Sequence, residues 1–377
     1  MDESAVERES GEETSANARP PMIYLEETDA LLPRHWTAGS NKYRDFGDLA
    51  SGGTAILKSA FDRNLHRWVV YKQLHDDLRE DEDENRRFLR EARVTSMIAH
   101  PGTVPVYEVG RDAGGSLYFT MKKLDGLDLR HVIDRLSAKD RDMAERYPLA
   151  GLVDVLISVC QTVAYAHAQG VVHRDLKPAN VLIGAFGEVT VLDWGLAKVH
   201  GEKPTVDVEL PDATKALELT QPGKRYGTPL YMSPEQARGH EVDERTDVYN
   251  AGSILYEMLA LKNLVWGQSV EEVLEQVLER ETPRPSDEAP WWREVPTELE
   301  MICLKALEKE PGERYASMEA LSEDLIAFRA REVTTVEPET WWQRLRSWPR
   351  RHPRWMVAVA GGALALLVVD WVWGWLN

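Results

Sequence analysis

The sequence predicts an α+β fold with two lobes, a small β-sheet lobe with one helix and a larger, mainly helical lobe, plus a C-terminal transmembrane helix. Three observations predict this arrangement. Short β-rich runs, such as residues 68–71 and 116–121, are concentrated before residue 122. Amphipathic helical segments dominate from residue 127 to about residue 332. A long apolar segment, residues 355–376, then has the length needed to cross a bilayer.

Composition limits the kind of protein. The 377 residues carry a formal net charge of -18, with 43% hydrophobic and 29% charged residues. This balance is typical of a folded globular body. The negative charge argues against nucleic acid as a partner, because phosphates are repelled. Cys160 and Cys303 form no Cys-x-x-Cys pair, so neither a disulfide framework nor a zinc site is indicated, and a reducing cytoplasm fits.

Residues 1–40 form an acidic leader. They mix Asp, Glu, Ser, Ala and Pro without a sustained apolar period. Such a segment buries too little surface to offset the entropy lost on ordering, so we expect disorder here. The leader also lacks the basic and apolar regions that are typical of a cleaved secretory signal.

A short hinge separates the two lobes. The sheet lobe covers residues 41–121, the hinge 122–126 and the helical lobe 127–332. In the sheet lobe one amphipathic helix is predicted at about 84–98. The stretch 199–226 has prolines and little periodicity, which predicts a long loop inside the folded body, either functional or disordered. The long helices predicted in the helical lobe lie at about 152–167, 247–261, 270–278 and 297–307.

The C-terminal part is predicted to anchor the chain in a lipid bilayer. Residues 333–354 form a basic juxtamembrane linker, and residues 355–376 form a single transmembrane helix. Arginines precede the span and tryptophans stand at both of its ends, as in many membrane proteins. A basic flank stays cytoplasmic, which predicts a single-pass protein of the cell (inner) membrane with both lobes in the cytoplasm. The alternative is an apolar helix packed on a soluble core.

Small residues in the apolar segment offer a contact surface for a second copy of the chain. Ala358, Gly361, Gly362 and Ala365 have the small-xxx-small spacing that lets two spans pack closely. Small residues are also common in spans that do not associate. A homodimer is therefore one hypothesis, and a monomeric span is the other.

The strongest chemical signal is the octapeptide His-Arg-Asp-Leu-Lys-Pro-Ala-Asn at 173–180, followed by Leu-Asp-Trp-Gly at 192–195. Phosphoryl transfer needs metal ions on the nucleotide phosphates, a cation near the transferred group and a carboxylate that orients the incoming hydroxyl. These side chains supply each role. At these motifs the sequence resembles the eukaryotic-type (Hanks-type) serine/threonine protein kinases of bacteria, and the resemblance covers about residues 43–331.

The resemblance implies the bilobal protein kinase fold and assigns roles to the motif residues. Asp175 would be the catalytic base, and Lys177 would contact the γ-phosphate of ATP. Asn180 and Asp193 would each hold a metal ion, Mg²⁺ or Mn²⁺. Trp194 replaces the usual phenylalanine of its motif and is still a large aromatic residue.

Further residues of the sheet lobe resemble the ATP-binding positions of the family. Val-Val-Tyr-Lys at 69–72 resembles the strand with the ATP-anchoring lysine, Lys72, and Glu91 resembles its carboxylate partner on the helix. In isolation both would be interpreted as solvated charges. Met121 resembles the residue behind the adenine pocket and is equally compatible with an ordinary core methionine. Leu124, in the hinge, would line the same pocket.

The Gly-rich loop of the family is the main departure. Its place is taken by Ala50, Ser51, Gly52 and Gly53, so that the central glycine is kept, and Ala55 stands at the position of the last glycine. Glycine lets backbone amides approach phosphate oxygens without an intervening Cβ. The two alanines are therefore expected to stiffen the loop and to reduce ATP affinity or rate.

The segment Gly-Thr-Pro-Leu-Tyr-Met-Ser-Pro-Glu at 227–235 resembles the loop that receives the substrate. Thr228 and Lys177 favour serine or threonine over tyrosine as acceptor, by resemblance. Glu235 is expected to form a buried ion pair with Arg314. Asp247 matches the aspartate that supports the catalytic loop from a central helix.

Arg174 indicates a means of control. It lies beside the catalytic aspartate, where it could pair with a phosphothreonine of the long loop. Thr205, Thr214 and Thr220 are the candidate acceptors.

Together these residues predict an ATP-dependent protein serine/threonine kinase that phosphorylates protein substrates in membrane-linked signalling. The first alternative is a pseudokinase, a membrane-tethered binding or scaffold module, which the altered Gly-rich loop favours. The presence of Lys72, Glu91, Asp175, Asn180 and Asp193 argues against it. The second alternative is a small-molecule phosphotransferase, a class that lacks the substrate segment at 227–235.

Overall fold

The computed structural model describes residues 37–199, 230–332 and 334–336 of the chain. The smaller lobe contains five strands: β1 (Tyr43–Ser51), β2 (Ala55–Asp62), β3 (Arg67–Leu74), β4 (Val106–Arg111) and β5 (Leu117–Lys122). They form one antiparallel sheet in the order β1-β2-β3-β5-β4. The β-rich runs of the sequence thus pair with one another as neighbours.

One helix, α1 (Glu82–Met97), packs on this sheet close to the predicted position 84–98. The carboxylate of Asp81 caps its N-terminus by accepting two backbone N–H groups of the first turn. Phe88 is buried on the inner side of the helix, and its ring lies 5.1 Å from that of Phe119 in the sheet. Phe88 and Ala92 therefore pack on the sheet, whereas Met97, the last residue of the helix, is half exposed.

The other face of the sheet carries a cluster of tyrosines. Tyr71 and Tyr118 stack with ring centroids 4.5 Å apart, and Tyr43 packs on both edge to face. Glu108 accepts hydrogen bonds from the hydroxyls of Tyr43, at 2.8 Å, and Tyr118, at 3.1 Å. The sheet lobe therefore has two small cores, one on each face.

The larger lobe is built around one apolar core. Its helices are α2 (Leu129–Ser137), α3 (Arg141–Arg146), α4 (Leu149–Ala168), α5 (Pro234–Ala237), α6 (Glu244–Ala260), α7 (Val270–Glu279), α8 (Pro285–Glu288), α9 (Thr297–Ala306) and α10 (Met318–Ala330). Helix α6 lies at the centre, since most of its residues are buried, and it contacts α4, α9 and α10. The four long helices predicted from the apolar pattern are present as α4, α6, α7 and α9.

Short strands in the helical lobe bring the two motif loops together. They are β6 (Gly126–Asp128), β7 (Val171–Val172), β8 (Val181–Gly184), β9 (Val189–Val191) and β10 (Lys198–Val199). The loop 173–180 joins β7 to β8, and the loop 192–197 joins β9 to β10. Because β8 pairs with β9 and β7 pairs with β10, both loops emerge side by side.

The start of the described chain is ordered earlier than the predicted boundary at residue 41. A 3-10 helix covers Gly39–Lys42. The side-chain amide of Asn64 donates to the carbonyl oxygen of Thr37 at 2.8 Å, which ties this segment to the sheet lobe. Residues 1–36 of the predicted leader lie outside the described residues.

Within the described residues, one helix is long and apolar enough to cross a membrane, and it is α4. Half of its apolar window is buried inside the helical lobe. It is therefore explained as a core helix of a folded domain. The predicted transmembrane helix at 355–376 and most of the basic linker at 333–354 lie outside the described residues.

Candidate active site

Lys72 and Glu91 form the ion pair that links the sheet to α1. The ammonium nitrogen of Lys72 lies 2.5 Å and 2.7 Å from the two carboxylate oxygens of Glu91. Both side chains are largely shielded, with 16% and 15% of their surfaces exposed. Burial raises the pKa of Glu91 and nearby Asp193 raises it further, whereas Lys72 acts in the opposite direction. The pair thus holds α1 against β3.

The loop after β7 holds the predicted catalytic groups in close contact. The ammonium of Lys177 lies 2.6 Å from Oδ2 of Asp175. Asn180 ends a 3-10 helix, Pro178–Asn180, and its side-chain amide donates to the carbonyl oxygen of Asp175 at 2.9 Å. About a quarter of the Asp175 and Lys177 side chains remains exposed, 27% each. A hydroxyl group from solvent or from a substrate can therefore reach Asp175.

Asp247, near the start of the central helix α6, fixes this loop from below. Its two carboxylate oxygens accept the backbone N–H groups of His173 and Arg174, each at 2.8 Å. His167 of α4 adds a contact from its Nε2 at 2.7 Å. Burial alone would raise the pKa of Asp247, but the contacts with His167 and the loop outweigh it, and the pKa lies below its usual value. Asp247 is therefore an ionised carboxylate that holds the backbone of the loop in place.

Arg174 shows that the loop is constrained. Its φ angle of 67° lies in the left-handed region, which residues other than glycine seldom adopt. The surrounding contacts must therefore stabilise this conformation. Besides the bond to Asp247, its Nε donates to the carbonyl oxygen of Leu196 at 2.6 Å. The side-chain amide of Gln236 holds its carbonyl oxygen at 2.8 Å. Contacts on several sides thus keep the neighbouring Asp175 in place.

The second motif loop is joined directly to the first. The N–H of Leu192 donates to the carbonyl oxygen of Asn180 at 2.8 Å, and Nε2 of His173 lies 3.2 Å from the carbonyl oxygen of Leu192. Trp194 is completely buried, with its ring centroid 4.5 Å from that of His173. The tryptophan that replaces phenylalanine is therefore accommodated in the core beneath the site.

Asp193 lies close to Glu91 of the sheet lobe. A Cβ placed on Gly195 would lie 3.1 Å from Oδ1 of Asp193 and 3.6 Å from Oε2 of Glu91. The two carboxylates therefore approach the same point, from the loop and from α1. Any larger residue at position 195 would fill the space between them.

The donor set fits a hard divalent cation that also binds phosphate. Asn180 and Asp193 offer an amide oxygen and a carboxylate, the oxygen ligands that Mg²⁺ prefers. Mg²⁺ takes few protein ligands when substrate phosphates complete its shell. The described residues contain no group of three or more His, Cys, Asp or Glu side chains that could hold a metal ion by themselves. Asn180 and Asp193 could therefore contribute oxygen ligands to a divalent cation whose other ligands are phosphate or water oxygens.

The predicted nucleotide loop is the turn between β1 and β2. Ala50 and Ser51 end β1, and Gly52 and Gly53 form the exposed turn. Ala55, in place of the last glycine, begins β2 and is 3% exposed, because its methyl group belongs to the core under α1. The side chain of Ala55 therefore contributes to packing, whereas a glycine at this position would give the backbone more freedom.

The predicted adenine-pocket residues lie at the end of the sheet. Met121 is on β5, where it pairs with Val70 of β3 and is half-buried. Leu124 follows β5 in the connection to β6 and is also half-buried. Both are placed between the lobes, and their contact with adenine stays a prediction.

The substrate segment is described from residue 230 onward, so Thr228 lies outside the described residues. Glu235 and Arg314 form the expected pair, with Nη1 and Nη2 of Arg314 at 2.8 Å and 2.7 Å from the two carboxylate oxygens. Thr246 adds a hydrogen bond to Glu235 at 2.7 Å. Although burial raises the pKa of Glu235, Arg314 more than reverses this and the pKa is lowered.

Sequence reasoning missed several supporting residues. Tyr231 donates to Glu257 at 2.5 Å and accepts from Arg130 of α2 at 2.5 Å, which connects the substrate segment to the region after the hinge. His167 and Gln236 hold Asp247 and Arg174, as described above. Their residue types are ordinary, and no short motif marks them. Helical periodicity could not have indicated them either, because each of these contacts joins residues that are far apart in the sequence.

Comparison with known proteins agrees with this geometry. The protein kinase domain family matches residues 43–326. The serine/threonine-protein kinase PknD of Protochlamydia amoebophila is 36% identical over 293 residues, which are 76% of this chain and 30% of that protein. The protein of the same name from Chlamydia felis is 35% identical over 283 residues, 74% of this chain and 30% of that protein. The chain thus spans about 30% of the length of these curated relatives.

The family match covers most of the chain, and the chain therefore belongs to the protein kinase family. Within that family its relatives are the eukaryotic-type (Hanks-type) serine/threonine kinases of bacteria, which confirms the resemblance seen in the motifs.

Proposed function

We propose that the chain is an ATP-dependent protein kinase that phosphorylates serine and threonine residues of other proteins. One observation supports this most: Asp193 and Glu91, the partner of Lys72, converge on Gly195, and the loop of Asp193 is hydrogen-bonded through Leu192 to Asn180, which also contacts Asp175. Phosphoryl transfer needs the lysine, the carboxylates and the amide of this group.

The proposed reaction follows from the positions of the side chains. The oxygen of a substrate hydroxyl forms a bond to the γ-phosphorus of ATP, the bond from that phosphorus to the β–γ bridging oxygen breaks, and ADP leaves. Asp175 orients the hydroxyl and takes its proton, and Lys177 offsets charge on the transferred group. Lys72, held by Glu91, binds the other phosphates. Magnesium supplies further neutralisation of phosphate charge when it is bound.

The direct test uses the full chain purified in detergent, with labelled ATP, magnesium and a generic basic protein. Label is expected on serine and threonine of the acceptor, as shown by phosphoamino-acid analysis. Asp193→Ala and Lys72→Met are the controls and should give no label. A wild-type chain that binds Mg-ATP and transfers nothing would instead support the pseudokinase alternative.

A second part of the proposal is that the chain acts at a membrane. The support is the apolar segment 355–376 with its arginine and tryptophan flanks. Membrane fractions washed with alkaline carbonate are expected to retain the full chain and to lose a chain that ends at residue 332. Recovery of the full chain in the carbonate wash would contradict a transmembrane anchor. Crosslinking in the same membranes tests the homodimer, which a purely monomeric product would contradict.

Control by phosphorylation of the long loop is the third part. Burial lowers the pKa of Arg174 to about 10, and the like charge of Arg90 contributes. Both guanidinium groups donate to neighbouring backbone carbonyls, Arg174 to that of Leu196 and Arg90 to that of Ala197. A phosphate group between them would offset this repulsion. Phosphopeptide mapping of the active protein is expected to find phosphate on Thr205, Thr214 or Thr220, and an active protein without phosphate there would contradict the idea.

A further inference from the structure

The turn between β1 and β2 is held from the side by His75. Nε2 of its imidazole lies 3.0 Å from the carbonyl oxygen of Gly52. Its backbone N–H donates to the carbonyl oxygen of Thr54, also at 3.0 Å. Within the turn, the N–H of Gly52 donates to the carbonyl oxygen of Ala55 at 2.9 Å. One residue at the end of β3 therefore contacts the turn twice, once with its backbone and once with its side chain.

His75 is itself well anchored. The next residue, Asp76, accepts a hydrogen bond at 2.6 Å from the hydroxyl of Ser116, which is fully buried. Two residues earlier, the side-chain amide of Gln73 donates to Asp112 at 2.6 Å. These contacts fix the end of β3 to the connection between β4 and β5. The imidazole is thus attached to a rigid element, and the exposed glycines of the turn are attached to the imidazole.

The contact determines which way one peptide group points. A trans peptide is planar, so the carbonyl of Gly52 and the N–H of Gly53 point to opposite sides. Side chains alternate along a strand, which puts Gln73 of β3 on the side of the sheet opposite Lys72. His75 follows the end of β3, but its backbone is still extended and its N–H still pairs with Thr54 before β2, so the alternation continues to its side chain. Since the oxygen of Gly52 is directed to His75, the N–H of Gly53 is directed to the side of Lys72. That side is where the phosphates of ATP bind in the proposed function.

We propose that His75 is a positioning residue for the nucleotide: its imidazole holds the Gly52 carbonyl and so presents the Gly53 amide to a phosphate of ATP. The inference rests on the proposed kinase function. The family achieves close approach of the loop through three glycines, of which this chain keeps one at the motif positions. A fixed hydrogen bond from outside the loop is a different way to orient an amide toward an anion.

The test compares His75→Ala, His75→Gln and wild type in the full chain. We expect His75→Ala to raise the KM for ATP and the Kd for Mg-ADP by about three- to tenfold, the range that one hydrogen bond supports. The kcat and the KM for the protein acceptor should stay within about twofold, because the acceptor groups lie in the other lobe. Glutamine also places an N–H donor near the carbonyl, so His75→Gln should recover most of the affinity. His240→Ala, at an exposed histidine of the helical lobe, is the matched control and should change nothing.

The possible results separate this inference from the proposed function. An unchanged KM and Kd in His75→Ala, or a loss that His75→Gln does not recover, overturns the role of His75 while leaving the kinase intact. A wild-type chain that binds Mg-ADP but transfers no phosphate overturns the kinase, and calorimetry with Mg-ADP still decides on His75. If His75→Ala instead destabilises the fold, its unfolding temperature will be lower and kcat will fall by the same factor as kcat/KM for ATP. That result also contradicts a positioning role.

Discussion

The two lobes hold their functional groups in different ways. In the helical lobe, Asp247 and Glu235 are buried and each is bound by several partners around one large core. In the sheet lobe, the exposed turn at Gly52 and Gly53 is held by single hydrogen bonds above two small cores. The difference indicates that the geometry of transfer is fixed in the helical lobe. Contacts with the nucleotide can instead be adjusted at little cost to folding.

The largest effect on stability is expected from Arg314→Ala. This change leaves the carboxylate of Glu235 buried without its cation, which costs about 3–5 kcal/mol of unfolding free energy. Urea titration of the full chain measures the loss. The matched control is Arg329→Ala, which removes the exposed pair with Asp154 and should cost no more than about 1 kcal/mol. Equal losses in the two variants would contradict the view that buried pairs dominate in the helical lobe.

Lys72→Met is expected to separate activity from stability in the sheet lobe. The kcat/KM for ATP should fall at least about 100-fold, equivalent to about 2.7 kcal/mol, because the phosphates lose their cation. Methionine keeps most of the volume of the lysine stem, and the raised pKa of Glu91 lets this carboxyl group take up a proton when its partner is gone. The unfolding free energy should therefore fall less than in Arg314→Ala. A larger fall would mean that the pair serves folding first.

Asp247→Asn tests the support of the catalytic loop. An amide presents one acceptor oxygen where the carboxylate presents two, so one of the N–H groups of His173 and Arg174 loses its partner. We expect a loss of about 1–3 kcal/mol in unfolding free energy, together with a fall in kcat that exceeds any change in the KM for ATP. Steady-state kinetics and urea titration at neutral pH give both numbers. A variant with altered KM and normal kcat would contradict a role in orienting Asp175.

The same variant has a defined pH dependence. The pKa of Asp247 in the folded chain lies below its usual value of 3.8, so the contribution of the carboxylate is fully present above that value. It is lost as the pH falls through the lower, folded-state pKa. The difference between wild type and Asp247→Asn should stay constant from about pH 7 to about pH 5 and shrink below about pH 4. If the difference in unfolding free energy between the two proteins grows on acidification, the pKa of Asp247 is raised on folding and not lowered.

The sequence predicted the site residues that stand in short motifs. It did not predict contacts between residues that lie outside such motifs in distant segments. Lys72 with Glu91, and Glu235 with Arg314, were paired correctly because each stands in a motif whose neighbours are informative. The contact between His75 and Gly52 was not predicted, because it depends on where β3 ends relative to a turn some twenty residues earlier. Short helices such as α3 and α8 were also missed, since a single turn shows no periodicity. Periodicity records which face is buried, whereas these features depend on which segments meet.

The smallest effect is expected from Ala50→Gly, which returns the first glycine of the family motif to the loop. Ala50 is exposed and pairs with Leu57 of β2, so its methyl group contributes little packing. Glycine should lower the KM for ATP by no more than about threefold through closer approach of the backbone, and should cost about 0.5–1 kcal/mol of stability because glycine weakens a strand. Ala50→Ser keeps the Cβ and is the control. Ala55 is unsuitable for this test, since its buried methyl group belongs to the core under α1. If Ala50→Gly and Ala50→Ser give the same KM, the Cβ at this position does not limit the approach of the loop.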